Sequence, residues 1–251
     1  MNNRQLLQLL RSGKQVPIKL TFNNIRTKAD LASRICKQIE ADSAQIAAML
    51  NDSLLLKEEA LNSENVLCLF IPNTYEMYWN TSAIVFFNRM KKEYDNFWTN
   101  ARRQKAHQQE LTPVQVSILA SIVQSETKQD AEKPRVAGVY LNRLRQSWKL
   151  EADPTLVYAI GDFSIKRVLN EYKTIDSPYN TYKYFGLPPG PICLPDISSI
   201  DAVLNAENHQ FMYFCAREDM SGFHAFAKDY NTHLLNAKRY QAELNRRNIK
   251  K

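Results

Sequence analysis

The sequence predicts an α+β fold built in two parts, and three observations predict it. A strand, two helices and a second apolar run follow one another within the first 71 residues. Strong helix-start signals open the second half after Leu111. Two short β-rich runs, residues 211–216 and 223–227, bracket turn residues near the end. The chain has 251 residues, 44% hydrophobic and 24% charged, which is an ordinary globular balance rather than a disordered or fibrous one.

The elements follow in order. Leu6, Leu7, Leu9 and Leu10 mark a short helix that ends near Gly13. Residues 19–22 read as a strand. Leu31, Ile35 and Ile39 lie at helical spacing within residues 28–39. Residues 42–45 offer a cap for the next helix, which carries Ile46, Met49 and Leu50. The apolar run 66–71, stopped by Pro72, is expected to be a second strand. Residues 78–105, with Phe86, Phe87, Met90, Tyr94 and Phe97, are expected to form one linking helix. In the second half, Thr112, Pro113 and Gln115 supply an N-cap, a first-turn proline and a capping-box partner. A helix from about Pro134 carries Val136, Val139, Tyr140 and Leu144. Asp153 before Pro154 is expected to cap a short helix that stops at Gly161. Residues 177–195 form a Pro-, Gly-, Tyr- and Asn-rich loop. Ser198 or Ser199 is expected to cap a further helix. A hairpin turning at residues 219–222 and an amphipathic helix over 230–248 complete the chain.

The net charge of +7 suits either simple solubility or an anionic partner. Basic residues are scattered, apart from the Arg246–Arg247 and Lys250–Lys251 pairs, and no nucleic-acid-binding signature is present. Cys36, Cys68, Cys193 and Cys215 form no CxxC pair, which argues against a zinc or redox site. Free thiols are expected, with one disulfide left open. No stretch of about 18 apolar residues occurs. The start, Met1 to Gln5, has no charged-then-apolar signal pattern.

Glu126 is the most informative residue. It continues the apolar helix face of Leu119 and Ile122. A carboxylate there is expected to be partly desolvated, and desolvation raises its proton affinity toward what a general acid needs. The structural alternative pairs Glu126 with Arg143 or Arg145. The loop Ser177-Pro178-Tyr179-Asn180-Thr181-Tyr182 runs on to Gly186-Leu187-Pro188-Pro189-Gly190-Pro191. Its prolines stiffen it, and its glycines permit close approach of the backbone. Tyr179 and Tyr182 offer flat faces for sugar rings, and Asn180 offers a donor and an acceptor. A rigid packing loop is the other reading.

These motifs together resemble the MltG (YceG-like) family of endolytic murein transglycosylases. The resemblance rests on Leu111-Thr112-Pro113, on 119–123 followed by Glu126, and on 136–144. It extends through Asp153-Pro154-Thr155 and both loop motifs to His224, Phe226, Lys228, Tyr230 and His233. Residues 17–71 resemble the family's LysM-like module more loosely, and Ile71-Pro72-Asn73-Thr74-Tyr75 its following motif. Many members carry Glu where this chain has Gln124, which leaves Glu126 as the acid on this turn.

The resemblance implies a small LysM-like N-terminal module over 1–75, a linking helix over 76–110 and a mixed α+β catalytic domain over 111–251. It implies cleavage of peptidoglycan glycan strands by Glu126, acting first as acid and then as base, with no cofactor and no metal. Asn142, Arg143, Asp153, Tyr179, Asn180, Thr181, Tyr182, Pro189 and Gly190 are expected to hold the substrate or neighbouring groups. Arg143 could instead pair with Asp153. The resemblance also implies action at the periplasmic face of the inner membrane, possible contact with wall-synthesis enzymes, no nucleic-acid partner, and a membrane-spanning helix upstream of Met1. The competing readings are a non-catalytic peptidoglycan-binding protein and a pyridoxal-phosphate lyase. The second needs a phosphate cup, and no Gly-rich cup is visible.

Overall fold

The computed structural model describes residues 2–58, 61–165 and 168–247. After α1 (Asn3–Ser12), β1 (Ile18–Phe22) leads to α2 (Lys28–Cys36), α3 (Ser43–Met49) and α4 (Ser53–Glu58). Capping fixes the two middle helices. Thr27 and Asp30 form a reciprocal capping box on α2, and Asp42 and Gln45 form one on α3. β1 then pairs antiparallel with β2 (Asn73–Met77), from Ile18 opposite Met77 to Phe22 opposite Asn73.

The second strand therefore lies downstream of the expected one. Residues 66–71 do not form a strand; Val66–Leu69 is a 3-10 turn whose four side chains are all buried. The reason is periodicity. A strand with one wet face needs alternation. β2 supplies it, with Tyr75 and Met77 inward and Thr74 and Glu76 outward. The uniformly apolar run instead sends Val66, Leu67, Leu69 and Phe70 into the core with Leu20, Phe22, Leu31 and Ile35, and Ile71 into the second core.

The segment 78–105 is two helices rather than one. α5 (Ala83–Phe97) ends at buried Trp98, and Thr99 caps α6 (Asn100–Gln108) by accepting from the Arg102 N–H. α5 contributes Phe86, Phe87 and Met90 to the same core as β1 and β2.

The second core surrounds α7 (Pro113–Glu126). Its start is as expected: Thr112 and Gln115 form the capping box, with Pro113 in the first turn. Every residue from Val116 to Val123 is buried, so α7 is a central helix. α8 (Lys133–Arg145), α9 (Asp153–Ile160) and α10 (Ile197–Leu204) pack against it. Two expected caps are corrected. Asp153 is the first residue of α9, with Ala152 at the N-cap position, and its carboxylate is engaged elsewhere. Ser198 and Ser199 lie inside α10, whose N-cap position is Asp196. α9 ends as expected at Gly161, which takes φ 78°, a left-handed conformation that glycine adopts freely.

β3 (Tyr213–Ala216) and β4 (His224–Ala227) form the expected hairpin, which α11 (Tyr230–Arg246) covers. Asn248, the expected end of that helix, and the Lys250–Lys251 pair lie outside the described residues. The two sheets are separate two-stranded sheets, one in each half. The four cysteines are free thiols. No described helix is long and apolar enough to cross a membrane.

The halves touch close to the 177–195 loop. The Leu194 N–H donates to the Ile25 carbonyl (2.8 Å), and the Tyr179 hydroxyl donates to Glu64 Oε2 (3.1 Å). Gly190 sits against the Glu64 backbone so closely that a Cβ there would stand 1.9 Å from the Glu64 carbonyl oxygen. Only glycine fits at that approach.

Candidate active site

α7 delivers Glu126 at its last turn. The side chain is part-buried, and its Oε1 accepts a hydrogen bond from the Tyr140 hydroxyl at 2.6 Å. Tyr140 is buried on α8, where a phenol hydroxyl needs a polar partner. Burial pushes the Glu126 carboxyl up from 4.5 to about 7. The Tyr140 hydrogen bond opposes that rise, the Asp153 charge adds to it, and the Arg143 charge opposes it. Burial, then the charge of Glu126, raises the Tyr140 hydroxyl well above its ordinary value, so it stays a donor.

The Arg-paired alternative for Glu126 is not what the structure contains. Arg143 is buried and donates from Nε to the Met212 carbonyl (2.8 Å) and from Nη1 to the Leu150 carbonyl (2.6 Å). Its nearest carboxylate partner is Glu151 at 3.7 Å, not Asp153. Arg145 donates to Gln109. Arg143 thus ties α8 to the segment before α9 and to the approach to β3, while its charge is felt at Glu126.

Asp153 and Tyr182 form the second polar pair. The Tyr182 hydroxyl donates to Asp153 Oδ1 at 2.6 Å. Burial, then this hydrogen bond, then the Asp153 and Glu126 charges raise the Tyr182 hydroxyl. The Lys173 ammonium covers one face of its ring at 4.7 Å.

The other expected residues organise the surroundings. Asn180 is fully buried. Its Nδ2 donates to the carbonyls of Lys173 and Ile175, and its Oδ1 accepts from the N–H groups of Tyr182 and Lys183. Thr181 Oγ1 accepts from the Ala152 N–H and contacts the Thr155 hydroxyl at 2.9 Å, which fastens the loop to the start of α9. Tyr179 is 7% exposed and packs against Tyr158, with ring centroids 4.7 Å apart. Asn142 donates from Nδ2 to the carbonyls of His209 and Phe211. Pro189 is half-buried and Gly190 buried. Pro189 lines a concavity of about 580 Å³ with Asp176, Thr181, Tyr184, Phe185 and Pro188. Glu126 is not among its lining residues; Thr181 and the neighbouring Tyr182 connect it to the Asp153 side of the site.

The contacts of three further residues near the site were not legible in the sequence. Tyr140 looked like one more residue of an apolar stripe, although its hydroxyl was a signal. Glu132 is buried and accepts both the backbone N–H of His224 (2.8 Å) and, at Oε2, a contact with His224 Nδ1 (2.6 Å). Gln124 does not extend the acid face. Its Oε1 accepts from the Asp196 N–H (2.6 Å) and the Ser199 hydroxyl (3.0 Å), so a side chain of α7 performs the capping expected of a serine in α10.

Fold and site define a class: an α+β protein with one carboxyl group of raised proton affinity at the end of a central helix, equipped for general acid/base chemistry. The chain belongs to the YceG-like family, whose model matches residues 1–239. An endolytic murein transglycosylase of Bacillus subtilis (strain 168) is 37% identical over 127 residues, covering 51% of this chain and 34% of the relative. One from Streptococcus pneumoniae serotype 2 is 33% identical over 110 residues, covering 42% of this chain and 20% of the relative. The matches therefore span about a third or less of these relatives' own length. The crystal structure of a yceG-like protein from Listeria monocytogenes superposes with a TM-score of 0.72 at 26% identity, covering 94% of this chain and 81% of that one.

Proposed function

We propose that this protein is an endolytic lytic transglycosylase. It cleaves the bond between N-acetylmuramic acid and N-acetylglucosamine within peptidoglycan glycan strands and leaves 1,6-anhydro ends. The observation that carries the reading is Glu126, pushed up to about 7 and held through Oε1 by Tyr140. A carboxyl group balanced there can serve both half-reactions near neutral pH. Protonated Glu126 gives its proton to the glycosidic oxygen as the C1–O bond breaks. The resulting carboxylate takes the proton of the muramoyl C6 hydroxyl, whose oxygen bonds to C1. Glu126 ends protonated again, and no water is consumed.

Asp153 and Tyr182 lie on the accessible side of the site and are assigned direct contact with the sugars, together with Pro189. Arg143, Asn142, Tyr179, Asn180, Thr181 and Gly190 support those contacts by fixing the loop and the hairpin. The division into 1–75, 76–110 and 111–251, the LysM-like character of the first part, placement at the periplasmic face of the inner membrane and contact with wall-synthesis enzymes belong to the same proposal. The two-stranded antiparallel β1–β2 pairing with intervening helices supports the LysM-like assignment.

The test is mass spectrometry of products from purified uncrosslinked glycan strands. Wild type is expected to release anhydro ends, and Glu126→Gln to lose about 10²–10⁴-fold in rate, the ordinary span for a general acid/base group. Hydrolysed ends in place of anhydro ends would overturn the mechanism. Binding without cleavage would leave a peptidoglycan-binding protein instead.

A further inference from the structure

Glu132 and His224 form a built pair that the mechanism above leaves unused. Glu132 is 5% exposed, yet both its oxygens are engaged: Oε1 accepts the His224 N–H at 2.8 Å and Oε2 faces His224 Nδ1 at 2.6 Å. A buried carboxylate against Nδ1 fixes the ring's orientation and makes Nδ1 the protonated nitrogen of the neutral ring. Nε2 is then an acceptor. It has no hydrogen-bond partner among the described residues and is not among the sealed, unpartnered atoms. The His224 side chain keeps 16% of its surface exposed.

Its position points to the acid site. Thr127, the residue after Glu126, donates from Oγ1 to Glu132 Oε2 at 3.5 Å. Phe214 stands edge-on to both the His224 ring (5.3 Å between centroids) and the Tyr140 ring (5.9 Å), and Tyr140 holds Glu126. The hairpin turn also rests on the chain just beyond Glu126, since a Cβ on Gly222 would stand 3.2 Å from Gln129 Nε2. β4 thus begins beside the end of α7.

We propose that His224, oriented by Glu132, is a further substrate-contacting residue of this site, whose Nε2 accepts a hydrogen bond from a sugar hydroxyl. The inference rests on the glycan-cleaving reading. An imidazole locked at Nδ1 presents one acceptor in one direction, and the orienting third group is what makes such a side chain useful for positioning a hydroxyl. Glu132 is the positioning residue of the pair. A clamp that merely held β4 to residues 127–132 would use Nδ1 and the backbone N–H and would have no use for Nε2.

Two amide variants separate these roles. His224→Asn carries a nitrogen close to the Nδ1 position and keeps a donor toward Glu132, but has nothing at Nε2. His224→Gln reaches the Nε2 position and weakens the bond to Glu132. With glycan strands as substrate, His224→Asn is expected to keep a near-parental thermal midpoint and to lose about tenfold or more in kcat/KM. His224→Gln should melt lower and retain more of its activity per folded molecule. A folded His224→Asn protein with parental kinetics overturns the proposal and leaves a structural clamp. Should the Asn variant fail to fold, diethyl pyrocarbonate labelling of the Glu126→Gln protein decides. Modification of His224 that glycan strands suppress supports the contact; no modification, or modification that glycan leaves unchanged, overturns it. Anhydro-end release by wild type is scored separately, so loss of the His224 proposal and loss of the transglycosylase reading give different results.

Discussion

Residues 113–126 and residues 177–195 pack on one another, but opposite means order them. α7 satisfies its backbone internally and is buried from Val116 to Val123, all apolar there except Ser117 and Ser121. The loop has almost no regular structure and is ordered by side chains that bond to the backbone. Asn180 alone makes four such bonds, and Ser121 of α7 accepts the Ile192 N–H at its Oγ (3.0 Å). A buried backbone must be satisfied one way or the other. The helix delivers the acid, and the loop, through Thr181 and Tyr182, holds Asp153 beside it. An irregular segment can therefore be held in one arrangement, as a helix is, when its polar groups are saturated, and here that turns Tyr179 and Asn180 inward while Tyr182 stays half-buried.

The largest stability effect is expected where the loop depends on a single side chain. Asn180→Ala removes two donors and one double acceptor from a fully buried position. The Lys173 carbonyl and the Tyr182 N–H lose the partner that Asn180 gives them, while the Lys183 N–H keeps the Asn180 carbonyl and the Ile175 carbonyl keeps the Ser177 N–H, so the loss should be about 2–5 kcal/mol. Denaturant unfolding measures it, and activity should fall in step with loop order. A variant of parental stability that had lost only glycan affinity would return Asn180 to direct sugar contact and break the contrast between the two segments.

The sequence made these segments unequally legible. For α7, Thr112, Pro113 and Gln115 are local signals whose partners lie within one turn, so start and cap follow from short-range chemistry. Glu126 on the Leu119–Ile122 face carried the raised proton affinity for the same reason. The loop's composition announced that it was special, but its partners range from two to over 100 residues away, the latter as with Glu64 for Tyr179. Side-chain type alone could not separate a sugar platform from a packing group. The same limit moved β2 from 66–71 to Asn73–Met77, because an apolar run of six suits a buried turn as well as a strand. It also hid the α10 cap, which comes from Gln124 in another helix.

A second test addresses the helix end. The Glu126 carboxyl binds its proton more tightly in the fold, about 7, than at the ordinary value of 4.5. It therefore adds stability while protonated. That contribution is complete below about 4.5 and is lost as pH rises through about 7, when the fold must hold a part-buried charge. The difference is about 2–3 kcal/mol across the window. Glu126→Gln lacks this titration, so its thermal midpoint relative to wild type should climb between about pH 5 and pH 8. Parallel midpoint curves for the two proteins would show that Glu126 is well solvated and would remove the basis for its double role.

The smallest effect is expected where helix and loop meet, at Gln124. Its Oε1 collects the Asp196 N–H and the Ser199 hydroxyl at the start of α10, while Nε2 makes only a long contact of 3.4 Å to the Leu194 carbonyl. Gln124→Glu keeps both acceptor contacts and places negative charge at a helix N-terminus, a favourable location by about 0.3–1 kcal/mol. Against this it loses the weak donor and sets a carboxylate near Asp196, so stability should change by less than about 1 kcal/mol. Residues two apart on a helix do not face each other, so the new charge should raise the proton affinity of Glu126 only slightly. The pH–rate profile of the variant should therefore keep its shape, with a small upward displacement of the limb that reports loss of the acidic proton. A stability loss several times larger would make the Leu194 contact essential, and the loop would then depend on α7 for donors as well as acceptors. A large displacement of the profile would place residue 124 within the field of the acid and join the cap of α10 to the chemistry at Glu126.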